Sequence, residues 1–190
     1  HANPKGRLMQ FFREASELAA CGFQVFPVQP VGDDGQLRKH ATDDLAALSV
    51  WDKRTPLWDV ALTLGETSDV LAVHVSHIGF DELHTLSLHG LNVPQCPVSQ
   101  SSDGEAVLWF RNLSGFAGRR VIGIGLTALG EGEIWRAPPS HDRHGGRWVW
   151  VTAPWDVKPP VLPDWLVARI VPHRRPARDF RKYATRRRPA

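Results

Sequence analysis

The sequence predicts a mixed α/β domain of the α+β type, and three observations support this fold class. Apolar residues recur at helical spacing over residues 11–20. Residues 70–75 form a nearly continuous apolar run, as expected of a strand buried on both faces. After residue 100, short runs of β-branched and aromatic residues alternate with glycine and proline turns. The predicted order of elements is α-β-α-β-β-α-β-β-β-β-α.

The first half of the chain is predicted to contain three helices and three strands. Gly22 ends the first helix and Gly90 the third, because glycine adopts the left-handed conformation that terminates helices. Thr42, Asp43 and Asp44 offer side-chain oxygens that cap the second helix. The predicted elements are a helix over 11–20, a strand over 23–28, a polar loop over 31–40, a helix over 42–51, strands over 60–64 and 70–75 joined by a turn at 65–69, and a helix over 80–89.

The second half is predicted to be mostly β-structure. Residues 121–129 are strand-like although they contain two glycines, and residues 132–136 are predicted to pair with them. The other predicted elements are a proline- and serine-containing connection over 92–102, a strand over 106–110, a loop over 137–146, a strand over 147–152, a proline-rich crossing over 155–163 and a last short helix over 163–171.

The net charge of +3 is unevenly distributed along the 190 residues. Residues 173–190 carry eight cations and one anion, a net charge of +7, whereas the first 172 residues carry 15 cations and 19 anions, a net charge of −4. A basic tail is typical of an arm that binds nucleic acid or an acidic protein partner. The residues predicted to bind DNA or that partner are Arg174, Arg175, Arg178, Arg181, Lys182, Arg186, Arg187 and Arg188.

Composition predicts one globular domain with short flanking segments. With 42% hydrophobic and 23% charged residues the chain can bury a core, and it contains no apolar run of about 18 residues that would span a membrane. We expect a flexible segment at 1–10, the domain at 11–171 and a disordered basic tail at 172–190. The N-terminal residues lack an apolar signal region, and Cys21 and Cys96 have no metal-binding spacing. A reducing, cytoplasmic location is therefore expected.

Four stretches of the chain resemble, in order, the bifunctional DNA primase/polymerase domains of the archaeo-eukaryotic primase superfamily. Residues 14–30, EASELAACGFQVFPVQP, are similar to the opening helix and strand of that family, and residues 60–76, VALTLGETSDVLAVHVS, to its glycine turn and metal-binding strand. Residues 102–111, SDGEAVLWFR, and 134–150, IWRAPPSHDRHGGRWVW, are similar to two later segments. The resemblance implies a primase–polymerase-like fold, in which an N-terminal α/β unit is followed by an RRM-like sheet with the cleft between them.

At the polar positions that the family uses for catalysis, this chain carries other residues. The resemblance places His74 and Ser76 where active members have two metal-binding aspartates, Val107 where they have a phosphate-contacting histidine, and Thr127 where they have a third acidic residue. Nucleotidyl transfer needs divalent metals, and magnesium prefers carboxylate ligands over imidazole and hydroxyl groups. We therefore predict no catalytic residue, no bound metal and no cofactor at this site.

An alternative hypothesis is that the domain still binds a catalytic metal ion. Carboxylates elsewhere in the sequence would then rebuild a rearranged site for Mg²⁺ or Mn²⁺. The candidates are Asp69, Asp81, Glu82, Glu131 and Glu133.

Several other patterns have an ordinary structural interpretation beside the functional one. Zinc favours imidazole, but the predicted strand and helix separate the histidines at 74, 77, 84 and 89. Ser140, His141 and Asp142 are consecutive, so their side chains point apart and do not form a hydrolytic triad. The glycines at 123, 125, 130 and 132 lack the Lys-Ser/Thr of a phosphate loop and fit turns. The eight tryptophans fit core packing, with a base-stacking or protein-binding surface as the alternative.

The predicted function is that of a catalytically inactive primase–polymerase-like protein. It would act as a binding or regulatory module for a protein partner, on the tryptophan-rich surface or through the tail, or for DNA held by the tail. The alternative is an active or nucleotide-binding DNA primase/polymerase with a rearranged metal site.

Overall fold

The structure, a computed structural model, describes residues 4–29, 37–54 and 59–171. The cations of the predicted basic tail, from Arg174 to Arg188, lie outside the described residues. Within the described residues the α-helices are α1 (Pro4–Ala20), α2 (Leu45–Arg54), α3 (His77–Leu88) and α4 (Asp164–Ile170), with a 3₁₀ helix at Arg38–His40. The strands are β1 (Val25–Val28), β2 (Asp59–Thr63), β3 (Val70–Val75), β4 (Val98–Gln100), β5 (Ala106–Arg111), β6 (Arg119–Gly123), β7 (Leu126–Leu129), β8 (Ile134–Arg136) and β9 (Val149–Thr152).

The strands form two antiparallel sheets. The smaller sheet has the order β1-β2-β8, and the larger has the order β6-β7-β3-β5-β4-β9. Strand β3 lies inside the larger sheet and pairs with β5 on one side and β7 on the other. All but one of its six residues are buried, which confirms the prediction from its apolar run. The mixed α/β fold class predicted from the sequence is confirmed.

Two hydrophobic cores cover the two faces of the larger sheet. One contains buried residues of α1 and of both sheets, among them Leu18, Leu62 and Trp109, so it joins the two sheets. The other lies under α3 and α4 and includes Phe110 and Leu166. The larger sheet is therefore buried on both sides over its centre, and full burial of each large side chain contributes about 1.5–3 kcal/mol.

The predicted helix starts at residues 11 and 80 were wrong. Helix α1 begins at Pro4 rather than at residue 11. Proline is compatible with the first helical turn because its missing N–H has no helical partner there. Helix α3 begins at His77 and contains Gly79 in its first turn. Glycine disfavours a helix, but a Cβ at position 79 would lie 2.5 Å from the carbonyl oxygen of Gly125, so tertiary packing demands it.

The predicted single strand over 121–129 was also wrong. The chain turns at Gly125, which has a φ of +67°, and forms the hairpin of β6 and β7. Strand β8 was predicted to pair with residues 121–129, but it pairs instead with β2 in the smaller sheet. Gly132, with a φ of +92°, lies in the turn that redirects the chain between the two sheets. The predicted connection over 92–102 contains strand β4.

The two cysteines are free thiols. Burial raises the pKa of the Cys96 thiol to about 11, and burial also raises the pKa of Cys21. Raised thiol pKa values are those of inert core residues rather than reactive or metal-binding ones. No helix in the described part of the chain is long and apolar enough to cross a membrane.

Candidate functional site

A cleft of about 900 Å³ lies between the larger sheet and strand β8. The larger sheet contributes residues of β3, β6 and β7, and the smaller sheet contributes all three residues of β8. Two loops complete the walls. One precedes β5 and supplies Asp103 and Glu105, and the other follows β8 and supplies His141, Asp142 and Arg143.

The register of the larger sheet brings three of the four family positions side by side. His74 on β3 is the cross-strand partner of Val107 on β5 and of Thr127 on β7. Directly opposed residues of antiparallel strands have their side chains on the same face, about 4.5–5.5 Å apart. His74 and Thr127 line the cleft, whereas Val107 is fully buried beneath it. The row therefore offers one imidazole, one hydroxyl and one isopropyl group.

His74 is held by an aromatic and an acidic neighbour. Its ring lies 5.5 Å from the ring of Trp135 on β8, and its Nε2 lies 3.2 Å from Oε2 of Glu105. The His74 side chain is 20% exposed and that of Glu105 is 9% exposed. The imidazole thus has its ring face and one nitrogen engaged within the protein.

Glu105 is bonded through both carboxylate oxygens. Oε2 accepts from His74, and Oε1 accepts from Nη2 of Arg143 at 2.7 Å. Arg143 also donates from Nε to His144 Nε2 at 2.9 Å, and His144 lies 3.1 Å from Oδ2 of Asp103. Sequence reasoning missed Glu105 and Arg143. The signal for Glu105 was its position two residues before Val107, which places both on the same face of an extended segment.

Ser76 has a structural contact rather than a place in the cleft. It immediately precedes α3, its backbone N–H donates to the carbonyl of Gly125 at 2.9 Å, and its Oγ donates to the same carbonyl at 3.3 Å. Ser76 therefore anchors the turn of the β6–β7 hairpin to the start of α3. A carboxylate at position 76 would face that carbonyl oxygen and repel it.

The loop after β8 is fixed by a buried aspartate. Asp59, 6% exposed, accepts hydrogen bonds from the backbone N–H of His141 at 2.8 Å, from its Nδ1 at 2.9 Å and from Nη1 of Arg136 at 3.1 Å. Arg147 donates to the carbonyl of Pro139 at 2.6 Å from the other end of the loop. These contacts place Arg143 at the cleft.

Asp142 organises the tip of the same loop. Burial disfavours its charge, but hydrogen bonds from the Ser102 hydroxyl and from the N–H groups of His144, Ser102 and Gly146 outweigh burial and lower the pKa of the Asp142 carboxyl. A carboxylate whose pKa is lowered by folding stabilises the folded state above the pKa of the unfolded chain.

We predict an acid-dependent loss of stability that Asp142→Asn removes. Because the folded pKa lies below the unfolded value of 3.8, the contribution is fully present above about pH 5 and is lost as pH falls through the folded pKa. The difference in unfolding free energy between the wild type and Asp142→Asn, measured by urea denaturation, should be constant from about pH 5 to 7 and shrink below about pH 4. The exposed Asp156→Asn serves as control. An equal difference at pH 3 and pH 7 would contradict the prediction.

The residues described in 4–29, 37–54 and 59–171 contain no group of three or more histidine, cysteine or acidic side chains arranged to hold a metal ion. The five carboxylates considered for a rearranged site do not come together around a metal position, and four of them have partners of their own. Asp69 pairs with Arg111 at 3.3 Å on the surface, and Glu82 pairs with Arg169 at 3.1 Å. Glu131 accepts from the N–H of Glu66 at 2.6 Å, and Glu133 accepts from Arg119 at 3.0 Å. Asp81 is exposed on α3.

The other patterns noted in the sequence have structural roles. The Ser140 hydroxyl is buried and donates to the carbonyl of Val60 at 2.7 Å, while His141 and Asp142 have different partners, so no triad forms. The tryptophans pack against one another in the pairs Trp135–Trp148, Trp109–Trp150 and Trp150–Trp155, with ring centroids 5.4–6.1 Å apart. Among the tryptophans that the structure describes, Trp155 alone is exposed, at 41%.

A helix-backed antiparallel sheet that opens onto a cleft, with the family's polar positions aligned on adjacent strands, defines a domain of the primase–polymerase class. The chain belongs to the family described as bifunctional DNA primase/polymerase, N-terminal, whose family model matches residues 15–165. A comparison with curated proteins found no match.

Proposed function

We propose that this domain no longer transfers nucleotides and acts as a binding module for a protein partner or DNA. The observation that carries the proposal is the row of His74, Val107 and Thr127, which contains no carboxylate. The nearest carboxylate, Glu105, already accepts hydrogen bonds on both oxygens from His74 and Arg143.

The residues of the row do not fit the metal pair that the family implies. Mg²⁺ and Mn²⁺ prefer carboxylate, carbonyl and water oxygens, and Mg²⁺ is usually held by one or two carboxylates plus substrate phosphates. Glu105 would have to give up its contacts with His74 and Arg143 to serve as such a ligand. No catalytic step through a metal is therefore assigned.

A Mn²⁺ titration tests the misfit. Isothermal titration of the full chain with MnCl₂ alone should show no saturable site with a Kd below about 1 mM, which corresponds to only about 4 kcal/mol of binding free energy. With dGTP present, the heats should equal those of the same dGTP titrated without protein. Glu105→Gln should behave like the wild type. Tight binding that Glu105→Gln abolishes would show that Glu105 holds a metal and would contradict the proposal.

The basic tail supports DNA as one partner. Its 18 residues carry eight cations and one anion, a net charge of +7. Neutralised phosphates release counterions, so such binding weakens steeply with salt.

We predict that truncation after Pro172 removes most DNA affinity. For a fluorescent single-stranded oligonucleotide at low salt, the Kd should rise at least about tenfold, and the slope of log K against log salt should fall by about 0.7 for each lost phosphate contact. The matched control replaces Arg186, Arg187 and Arg188 with alanine, which should give an intermediate slope. If the truncated chain kept the same affinity and the same slope, the hypothesis that the tail binds DNA would be wrong.

A second candidate is nucleotide binding without chemistry, and the open cleft favours it. The cleft retains an aromatic wall of His74 and Trp135, and the indole N–H of Trp135 is buried without a hydrogen-bond partner among the described residues. Arg119 and Arg143 line it as cations. Thermal unfolding with millimolar dATP or dGTP tests this candidate. A rise in Tm that Trp135→Phe reduces supports it, and an unchanged Tm rejects it.

A further inference from the structure

Strand β6 forms the outer edge of the larger sheet, and alternate backbone groups on it point away from the sheet. Arg119 pairs with Leu129 and Val121 with Thr127, and the N–H of Gly130 donates to the carbonyl of Gly118. In an antiparallel ladder this pattern makes Arg119 and Val121 non-hydrogen-bonded positions, whose own N–H and C=O groups face outward. The edge therefore presents two donors and two acceptors at the two-residue spacing of a strand.

The free segment of the edge has defined limits. The carbonyl of Ile122 accepts a hydrogen bond from Nη1 of Arg169 at 3.0 Å, and the register shifts between Val121 and Gly123. A bulge and a side-chain cap are common ways in which proteins protect an edge strand. Among the residues that the structure describes, nothing pairs with the part around Arg119–Val121 on this side.

Exposed apolar side chains surround this open part. Val121 on β6 is 76% exposed and Ile124 in the adjoining turn is 66% exposed. Ile78 at the start of α3 is 58% exposed and lies against the Gly125 turn, and Val171 directly follows the α4 residue bonded to Arg120. Exposed apolar side chains on and beside a strand that has no partner on this side among the described residues indicate a surface that another chain covers.

The charge of the edge selects the partner. Arg119 and Arg120 lie on β6 itself, and Glu133 pairs with Arg119. Arg120 donates to the Ile170 carbonyl and makes no ion pair with a carboxylate in the described part of the chain. A second copy of this chain, paired edge to edge, would add another pair of arginines to the same seam, and like charges on adjacent strands destabilise pairing.

We propose that the β6 edge binds an extended, acidic segment of a partner protein by antiparallel strand addition. The segment presents a β-branched residue opposite Val121 and acidic residues opposite Arg120 and Arg119. Backbone hydrogen bonds supply the pairing, and alternate side chains supply the specificity. This inference specifies the proposed role as a binding module. It depends on that proposal in one respect, that the partner is a protein.

The test uses the full chain and a fluorescein-labelled peptide, Thr-Ile-Val-Glu-Glu-Thr-Thr. Fluorescence anisotropy should show saturable binding, and Val121→Pro should weaken it at least about tenfold, because proline removes an outward N–H that a strand partner needs. Proline is tolerated on an edge strand where the N–H faces solvent, so the fold should persist in circular dichroism. The matched control Val121→Thr keeps the N–H and the β-branched shape and should bind within about threefold of the wild type.

Changes in the peptide supply a second arm that leaves the protein untouched. N-methylation of the peptide valine, or replacement of both glutamates with lysine, should each weaken binding at least about tenfold. The proposal is overturned if Val121→Pro or the N-methylated peptide binds as tightly as its unmodified counterpart. It is also overturned if the lysine peptide binds equally well, if an oligothymidylate displaces the acidic peptide from the edge, or if sedimentation shows a dimer that Val121→Pro abolishes. The peptide-binding experiment contains no metal ion and no nucleotide. A failure to bind the peptide would therefore not bear on the proposal that the domain no longer transfers nucleotides, which the metal titration and primer extension test.

Discussion

Replacement of Gly125 with alanine should destabilise the domain by about 2–5 kcal/mol, from backbone strain and overpacking together. Gly125 has a φ of +67°, and a Cβ there would lie 2.5 Å from the backbone nitrogen of Gly79 and 2.5 Å from Oγ of Ser76. The nitrogen of Gly79 belongs to the backbone, so a rotamer change alone does not relieve the clash. The hairpin of β6 and β7 would have to move away from α3.

Gly115→Ala is the matched control for this substitution. Gly115 has a φ of +78°, and a Cβ there would meet nothing within 4 Å. It should therefore lose only the conformational part, about 1–2 kcal/mol. Urea denaturation of both variants measures the difference, and equal losses would show that the contact between Gly79 and Gly125 contributes nothing beyond the turn conformation.

Replacement of Asp59 with alanine should destabilise the domain by about 3–5 kcal/mol, the usual cost of removing one partner from a buried ion pair. The Asp59 side chain is 5% exposed, and that of Arg136 is 18% exposed. Without the carboxylate, the N–H and imidazole of His141 also lose their acceptor. The loop that carries Arg143 would be released from β2.

Glu17→Ala provides the control for an exposed pair. Arg13 and Glu17 lie four residues apart on α1 with a separation of 3.1 Å, and their side chains are 74% and 32% exposed. Such exposed pairs contribute little to stability because water screens the two charges. Denaturant unfolding compares the two variants. A loss for Asp59→Ala no larger than that for Glu17→Ala would contradict the structural role of the buried carboxylate.

The part of the fold that local patterns determine could be predicted from the sequence. Strand β3 was predicted with its observed bounds because an apolar run ended by a turn at each side has few alternatives. Helix α2 begins at Leu45 rather than at the predicted residue 42, directly after the predicted cap residue Asp44, whose carboxylate accepts from the N–H of Ala46 at 2.9 Å. Tertiary contacts determined the rest. The pairing of β8 with β2 joins residues more than 70 positions apart, and no local pattern specifies such a partner.

The candidate site was predictable only in part, for the same reason. The resemblance indicated the row of His74, Val107 and Thr127, and the strand register places these positions together. The contacts that engage His74 and Glu105 come from loops. Glu105 meets Arg143 across 38 residues of sequence, and the loop that carries Arg143 is positioned by Asp59 from a different sheet. Loop conformation depends on such contacts and has no periodic signature in the sequence.

Primer extension by the full chain shows whether the domain still transfers nucleotides. A labelled primer–template would be incubated with the four deoxynucleoside triphosphates and either Mg²⁺ or Mn²⁺, beside a parallel reaction with His74→Ala. Because the row beside the cleft offers no carboxylate pair for the metals, we expect no product above the enzyme-free background with either metal. Extension by the wild type that His74→Ala abolishes would contradict the account, since it would place a working nucleotidyl-transfer site at the cleft.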